Sequence, residues 1–435
     1  MIRRYFLFGL ITLLFSVSVY AQYKQTGGFA RLRAMGNNPY VVDPSVMTVN
    51  PGWAGYYHNF LFGDLGFTAG AFQPGGVGQF VAANFHVGGG LALGGMLTRN
   101  DFLGAGIGNL DPGGLVGQIN TYLEDAGFPQ PTGSPTYVVG LNNNLELMGS
   151  IKSGNTAFGL GVAYASTTNE FAPDTGNGAI GSASQLGFNA GIVTKLTGSF
   201  LLDVGASFIM PSTDFEPAVG TKTEFSQTII LVNARIFWQY SSKLEFVPAV
   251  AFITASGTSD LGTPSTTGTA TSTDLPSLTL IAVGIGMNYE VGDFLLAGGP
   301  GFATISSKRP EVANVSPELT TSAFVFPIWN LGVEWNMNDW FVARFGYFAA
   351  TLRTTTETAA SATAVNELII TSFAGPYGPS TVGGGATVGV GFRLGNFSLD
   401  ATVNEDVLRQ GFNNFGGGGL TGATFAYLSL SYAMP

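Results

Sequence analysis

The chain has no cysteine among its 435 residues, which excludes disulfides and thiol chemistry. Its two histidines, His58 and His86, give little for a metal site or a catalytic triad to use, and neither a metal nor a cofactor is expected. Charged residues are only 10% of the chain and the formal net charge is -10, so the basic footprint of a nucleic-acid binder is missing. Outside the N-terminus no segment approaches the ~18 consecutive apolar residues of a spanning helix. There is no Walker lysine motif, zinc-type histidine pair, EF-hand loop or Gly-x-Ser-x-Gly elbow. Gly159-Leu160-Gly161 and Gly389-Val390-Gly391 lack the βαβ context of a nucleotide fingerprint. No enzymatic role is expected.

The N-terminus opens with Arg3 and Arg4, continues through an apolar stretch from Tyr5 to Val19 and reaches Val19-Tyr20-Ala21 before Gln22. Residues 1–21 read as a secretory signal peptide cut after Ala21, since the apolar run is short of the ~20 residues that an anchor helix needs.

What the rest contains is alternation. Val388, Val390, Phe392 and Leu394 fall on one face of a strand, with Thr387, Gly389, Gly391 and Arg393 on the other. After the turn at Gly395-Asn396, Phe397, Leu399, Ala401 and Val403 oppose Ser398, Asp400, Thr402 and Asn404. The layout recurs over residues 145–166, 186–208, 230–252, 281–302 and 329–352, each pair of segments pinched by a very short turn. Tight turns alternate with long Gly/Ser/Thr/Pro-rich loops, as in an antiparallel transmembrane β-barrel of the outer-membrane type. A soluble sandwich would put its polar, charged faces outward, but here the apolar face needs a hydrophobic solvent, the outer-membrane lipids.

Composition agrees: 63 Gly, 35 Phe and 15 Tyr are too many for an ordinary soluble domain, and fit small residues facing a lumen and aromatics at the membrane interfaces. Trp329 and Trp335 share the apolar face of one segment and Trp340 starts the next, as interface belts would. By pattern, residues 58–435 hold about sixteen strands, or a smaller even number. Residues 22–57 are irregular, and Ala34–Gly55 within them are apolar. They cannot face lipid with unsatisfied backbone groups and must be enclosed by protein. The low-complexity stretches 258–273 and 354–363 are expected to be flexible outer loops.

The N-terminal segment carries Ala34-Met35-Gly36, Asp43-Pro44-Ser45 and Val49-Asn50-Pro51-Gly52-Trp53-Ala54-Gly55. These motifs resemble the start of FadL-type long-chain fatty acid transporters and their PorV-like relatives, over about thirty residues with barrel periodicity behind them. The resemblance implies a barrel of about fourteen strands, with sixteen possible, plugged by an N-terminal hatch over residues 22–57 in which Met35, Gly36, Asn50, Pro51 and Trp53 are the marked positions. It also implies a hydrophobic ligand site and a side opening toward the membrane.

Gly88, Gly89, Gly90, Gly94 and Gly95 flank the third segment, where they would either kink the wall open or form a plain glycine-rich hairpin. Leu115, Val116, Ile119, Tyr122 and Leu123 make a helical stripe in the following loop. With Phe102, Leu103, Ile107, Leu110 and Phe128 the stripe would either receive an acyl chain or cap the barrel mouth. Charged residues on the presumed inner faces, among them Glu146, Lys152, Asp203, Arg235, Glu290, Glu334, Arg344, Arg393 and Asp400, are expected to form a network holding the hatch, or else to meet a ligand headgroup.

Two functions follow from the resemblance: passive uptake of a fatty-acid-like small molecule, or a docking role among components of a type 9 secretion system. Insertion by the barrel-assembly machinery is expected, although the chain ends Tyr432-Ala433-Met434-Pro435 rather than on the aromatic residue many such barrels carry.

Overall fold

The computed structural model describes residues 27–57, 59–65, 79–102, 104–131, 134, 136–171, 178–311, 317–358, 361–370, 385–403 and 425–434. The signal-peptide segment, His58 and Leu103 lie outside them. The wall is made of β1 (Phe60–Leu65), β2 (Gln79–Gly88), β3 (Leu91–Arg99), β4 (Asn143–Ser153), β5 (Thr156–Glu170) and β6 (Ile180–Thr197). It continues through β7 (Phe200–Glu216), β8 (Thr223–Gln239), β9 (Leu244–Leu261), β10 (Thr271–Asp274), β11 (Ser277–Val291) and β12 (Phe294–Arg309). The circuit ends with β13 (Leu319–Asn336), β14 (Phe341–Thr358), β15 (Ser361–Ile370), β16 (Gly385–Leu394), β17 (Phe397–Val403) and β18 (Phe425–Ala433).

Every pairing among the described residues is antiparallel, and β1 joins both β2 and β18, so the ring closes on itself. The closed ring has sixteen strands, the number of the alternating segments rather than the fourteen of the resemblance. β10 extends the β9 hairpin above β11, and β15 pairs with the upper part of β14 while β16 pairs with its lower part. The two threonine-rich stretches are therefore not loops throughout. Thr258 to Leu261 pair with β10, and β14 runs to Thr358. Threonine is β-branched and keeps a ladder going where there is no lipid to demand an apolar face.

Burial follows the period of two. In β5 the string from Ala157 to Ala165 alternates strictly between buried and exposed. The exposed side is apolar: Leu147, Phe158, Leu160, Phe188, Phe208 and Ile285 all point outward. Near the short turns Phe200 stacks on Trp238 (5.8 Å between centroids), Phe294 on Trp335 (5.2 Å) and Trp340 on Phe392 (6.2 Å), which forms a lower aromatic belt. Phe302, Phe324 and Phe326 cluster higher up. From Trp335 to Phe324 the strand advances about 37 Å. Tilted by ~40°, that is close to the ~25 Å height of an apolar membrane band. The chain is an integral transmembrane β-barrel.

Candidate functional site

The lumen is filled from two directions. Residues 27–57 occupy its lower part, toward the short turns, as helix α1 (Phe29–Ala34) and two 3-10 turns, Pro44–Thr48 and Pro51–Gly55. Asp43 and Asn50 start the two turns, each accepting a backbone N–H two residues on, with proline at the first helical position. A segment with so little regular structure must find partners for its backbone elsewhere, and the inner wall supplies them. Asn330 donates to the Gly36 and Asn37 carbonyls (3.0 and 3.1 Å), Asn288 to Tyr40 (2.9 Å), and Asn84 to Ala54 and Tyr57 (2.7 and 2.9 Å). Arg235 donates to Pro39 and Val41 (2.9 and 3.2 Å).

Close approach of this segment to the wall needs glycine there. Met35 and Gly36 lie directly on Gly332 and Gly346, a register pair of β13 and β14 where any Cβ would collide with the segment's backbone. Pro51 and Gly52 rest in the same way on Gly159. Trp53 is fully buried, packed against Tyr56 and Tyr57.

Six of the inner-wall charges come together as two clusters, which Glu146 and Glu290 do not join. In the first, Glu334 accepts from Arg31 (2.8 Å) and Arg344 (2.7 Å), and Asp400 is paired with Arg344 (2.6 Å) and Arg393 (2.9 Å). Arg31 also lies 3.6 Å from Asp43. In the second, Asp203 holds Arg235 (2.6 Å) and accepts from Asn50 (2.6 Å). Burial pushes the Asp43 carboxyl up to about 6, against the pull of Arg31 and the hydrogen bonds from Ser45. Lys152 takes no part in either cluster and lies 3.9 Å over the Tyr56 ring. Among the described residues, no group of three or more His, Asp or Glu could hold a metal ion.

The upper lumen is entered by the loop between β3 and β4. Its helix α2 (Leu115–Asp125) begins where Asp111 accepts from the Leu115 and Val116 N–H groups (2.7 and 2.9 Å), and Tyr122 donates to the Gly262 carbonyl (2.6 Å). Leu115, Ile119, Leu123 and Phe128 are buried against Phe215, Phe225 and Leu275 of the wall, with Val116 partly buried beside them. Tyr137, Val138 and Leu141 belong to this packed cap as well.

The residues expected to line one groove are thus divided. Phe102 belongs to the aromatic cluster around Trp53, Tyr57 and Phe80, and Ile107 packs on Ala163 and Ile209. Their side chains are covered already, so they present no open groove. The open apolar surface lies elsewhere, on the inner wall of β8 to β14. There Leu231, Ile253, Leu278, Leu280, Ile305 and Leu352 are only partly buried, next to Ala282, Val325 and Phe348. No sequence signal distinguished these positions from other alternating leucines.

Of the two readings of the glycines at the third strand, a kinked open wall or a glycine-rich hairpin, the structure has the hairpin. Gly88, Gly89 and Gly90 form the β2–β3 turn at positive φ (123°, 59° and 82°). Gly94 and Gly95 sit in ladders paired with β2 and β4 on both sides. Backbone hydrogen bonds close the wall at β3, and the expected side opening is not there.

Comparison with family models and with curated proteins gives no match. Among solved structures, the chain is similar to the FrpB iron transporter from Neisseria meningitidis (TM-score 0.39, 12% identity, 83% of this chain and 63% of that one). It is also similar to the Pseudomonas putida toluene transporter TodX (TM-score 0.37, 10% identity, 93% of this chain and 97% of that one). This chain spans less than two thirds of the FrpB structure's length. A closed antiparallel barrel with an apolar outer belt and short turns at one end is the architecture of an outer-membrane-type transmembrane barrel.

Proposed function

We propose that the protein is a passive outer-membrane channel for apolar or amphipathic small molecules of fatty-acid character, made after removal of residues 1–21. The observation that carries this reading is the half-exposed apolar inner wall of Leu231, Ile253, Leu278, Leu280, Ile305 and Leu352. A water-filled pore has a polar interior, and apolar groups left partly uncovered inside a barrel suit a greasy molecule. The molecule passes beside α2, descends this wall, and moves on when the N-terminal hatch shifts.

The hatch is suited to shift because the buried ion-paired charges are balanced on each side of the contact. On the wall Arg344 and Arg393 offset Glu334 and Asp400, and Arg235 offsets Asp203. On the hatch Arg31 keeps Asp43. Undocking leaves neither side with an unpaired buried charge, the usual large cost of breaking an ion pair.

Uptake of a fluorescent dodecanoic acid by cells that carry this protein as their sole such channel tests the reading. Leu280→Glu with Ile305→Glu is expected to reduce uptake while the heat-modifiable folded band stays on gels. Normal uptake in that variant would remove the channel role and leave docking in a secretion machinery as the better account.

A further inference from the structure

Glu290 stands outside both charge clusters, at a place where wall and hatch enclose a pocket together. β11 turns Asn288 and Glu290 inward, between the exposed Tyr289 and Val291. The register sets Glu290 beside Leu295 of β12 and Leu295 beside Glu334 of β13, so one inward row crosses three strands with a carboxylate at each end. Val41 and Val42 of the hatch line the same pocket, which measures about 200 Å3, and Asp293 of the short β11–β12 turn stands at its rim. The short turns mark this as the periplasmic end of the barrel.

The side-chain donors around this pocket are already engaged. Asn288 is 3% exposed, and its Nδ2 goes to two acceptors, the Tyr40 carbonyl (2.9 Å) and Glu245 (3.0 Å), which fixes the orientation of the amide. Its Oδ1 is left buried with no donor among the described residues. Arg31 gives its hydrogen bonds to Glu334 (2.8 and 3.3 Å) and to the Val42 carbonyl (2.9 Å), and Asn336 donates to the Asp293 carbonyl (3.3 Å). Lys243 meets Glu290 through its backbone carbonyl (2.8 Å), with no ion pair between their side chains. Arg31 and Glu334 offset one another, so the lining keeps the two uncompensated negative charges of Glu290 and Asp293. A buried acceptor beside unpaired carboxylates calls for a cation that carries N–H groups.

We propose that this pocket is a binding site for an alkyl chain ending in an ammonium or guanidinium group. The head donates to Asn288 Oδ1 and is neutralised by Glu290 and Asp293, while the stem lies along Val41, Val42 and Leu295, as long basic side chains do on apolar surface. That chemistry is shared by a lysine or arginine side chain and by a free diamine. Because the hatch and the wall each supply part of the lining, the occupant binds the docked plug and stabilises it by linkage. The site stands apart from the channel reading and does not depend on what the lumen carries.

Calorimetric titration of the full-length protein in detergent tests the site, with n-butylguanidinium as the probe and n-pentanol as the stem without a charge. Saturable binding of the first and none of the second is expected. Glu290→Gln with Asp293→Asn, both at positions open to solvent, should weaken binding roughly tenfold, about 1.4 kcal/mol. Leu295→Trp fills the pocket, keeps both carboxylates and should abolish binding. No saturable binding to the native protein, or full affinity in the double variant, would overturn the site. Binding that persists in a folded Leu295→Trp would do the same, by reducing the effect to attraction at the rim; if Leu295→Trp does not fold, the double variant decides.

Hydrogen exchange of residues 27–57 is expected to slow at saturating n-butylguanidinium in the native protein and not in the double variant. Unchanged exchange would refute a site built by plug and wall together. Titration with 1,5-diaminopentane and with an acetylated, amidated Gly-Lys-Gly peptide separates the sources. Tighter binding of one supports the site and names a free diamine or a periplasmic protein's side chain as its occupant, whereas binding of neither overturns it.

Discussion

Arg31 Nε lies 2.8 Å from Glu334 Oε2, and Arg344 Nε reaches the same oxygen at 2.7 Å. One carboxylate thus serves a cation of the plug and a cation of the wall. Removing the shared member is worse than removing either arginine, because it leaves two buried cations competing for what remains.

Glu334→Ala is expected to cost about 3–5 kcal/mol, the usual cost of an orphaned buried charge. Arg31→Met should cost less, since Glu334 keeps Arg344, Asp400 keeps Arg393, and Asp43, which loses its cation, keeps its hydrogen bonds from Gly28 and Ser45. Hydrogen exchange of residues 27–57 measures the difference. If the two variants release the segment equally, the shared-carboxylate argument is wrong.

Asn50 caps the Pro51–Gly55 turn and holds Asp203, while Pro51 directs the chain toward β1. Replacing both with Ala should loosen the plug by about 0.5–2 kcal/mol, the range of a lost cap. Asp203 stays compensated by Arg235. Higher single-channel conductance and faster protease cleavage after Gly27 are expected; neither changing would deny these residues an anchoring role.

Asp43 sets a pH dependence. Its folded carboxyl is pushed up to about 6 from an ordinary value of 3.8 because burial outweighs Arg31. The stabilisation that comes from the neutral group is full below the ordinary value and lost as pH rises through about 6, amounting to about 3 kcal/mol at most. Plug openings in planar bilayers should be more frequent at pH 7.5 than at pH 4.5, and Asp43→Asn should flatten the difference. An opposite slope would mean that the Arg31 pair, not burial, governs this group.

Ile119 is fully buried where α2 meets the wall. Ile119→Ala removes that packing at about 2–5 kcal/mol, and Ile119→Asp should lift the helix from the barrel mouth. Conductance is expected to rise while folded-barrel mobility on gels is unchanged. Constant conductance would show that the N-terminal plug alone seals the lumen.

The sequence by itself determined the barrel. A period of two is a local property: Val388, Val390 and Phe392 face outward because the pleat puts them there, and an apolar face on every strand needs lipid. The short turns, the aromatic belts and the enclosure required of residues 27–57 follow from similarly local rules. About sixteen alternating segments were countable, but the resemblance drew the expected number down to about fourteen; the ring has sixteen.

Only the tertiary structure decided what meets what inside. Arg31 and Glu334 are 303 positions apart, and nothing near either names the other. The stripe on α2 was legible, but whether it stayed open or turned onto Phe215 and Phe225 depended on a wall far away in sequence. Glycine was ambiguous for the same reason. Gly94 lies in a sound ladder while Gly286 lies under Tyr40, because a missing side chain has no meaning until a neighbour occupies its space.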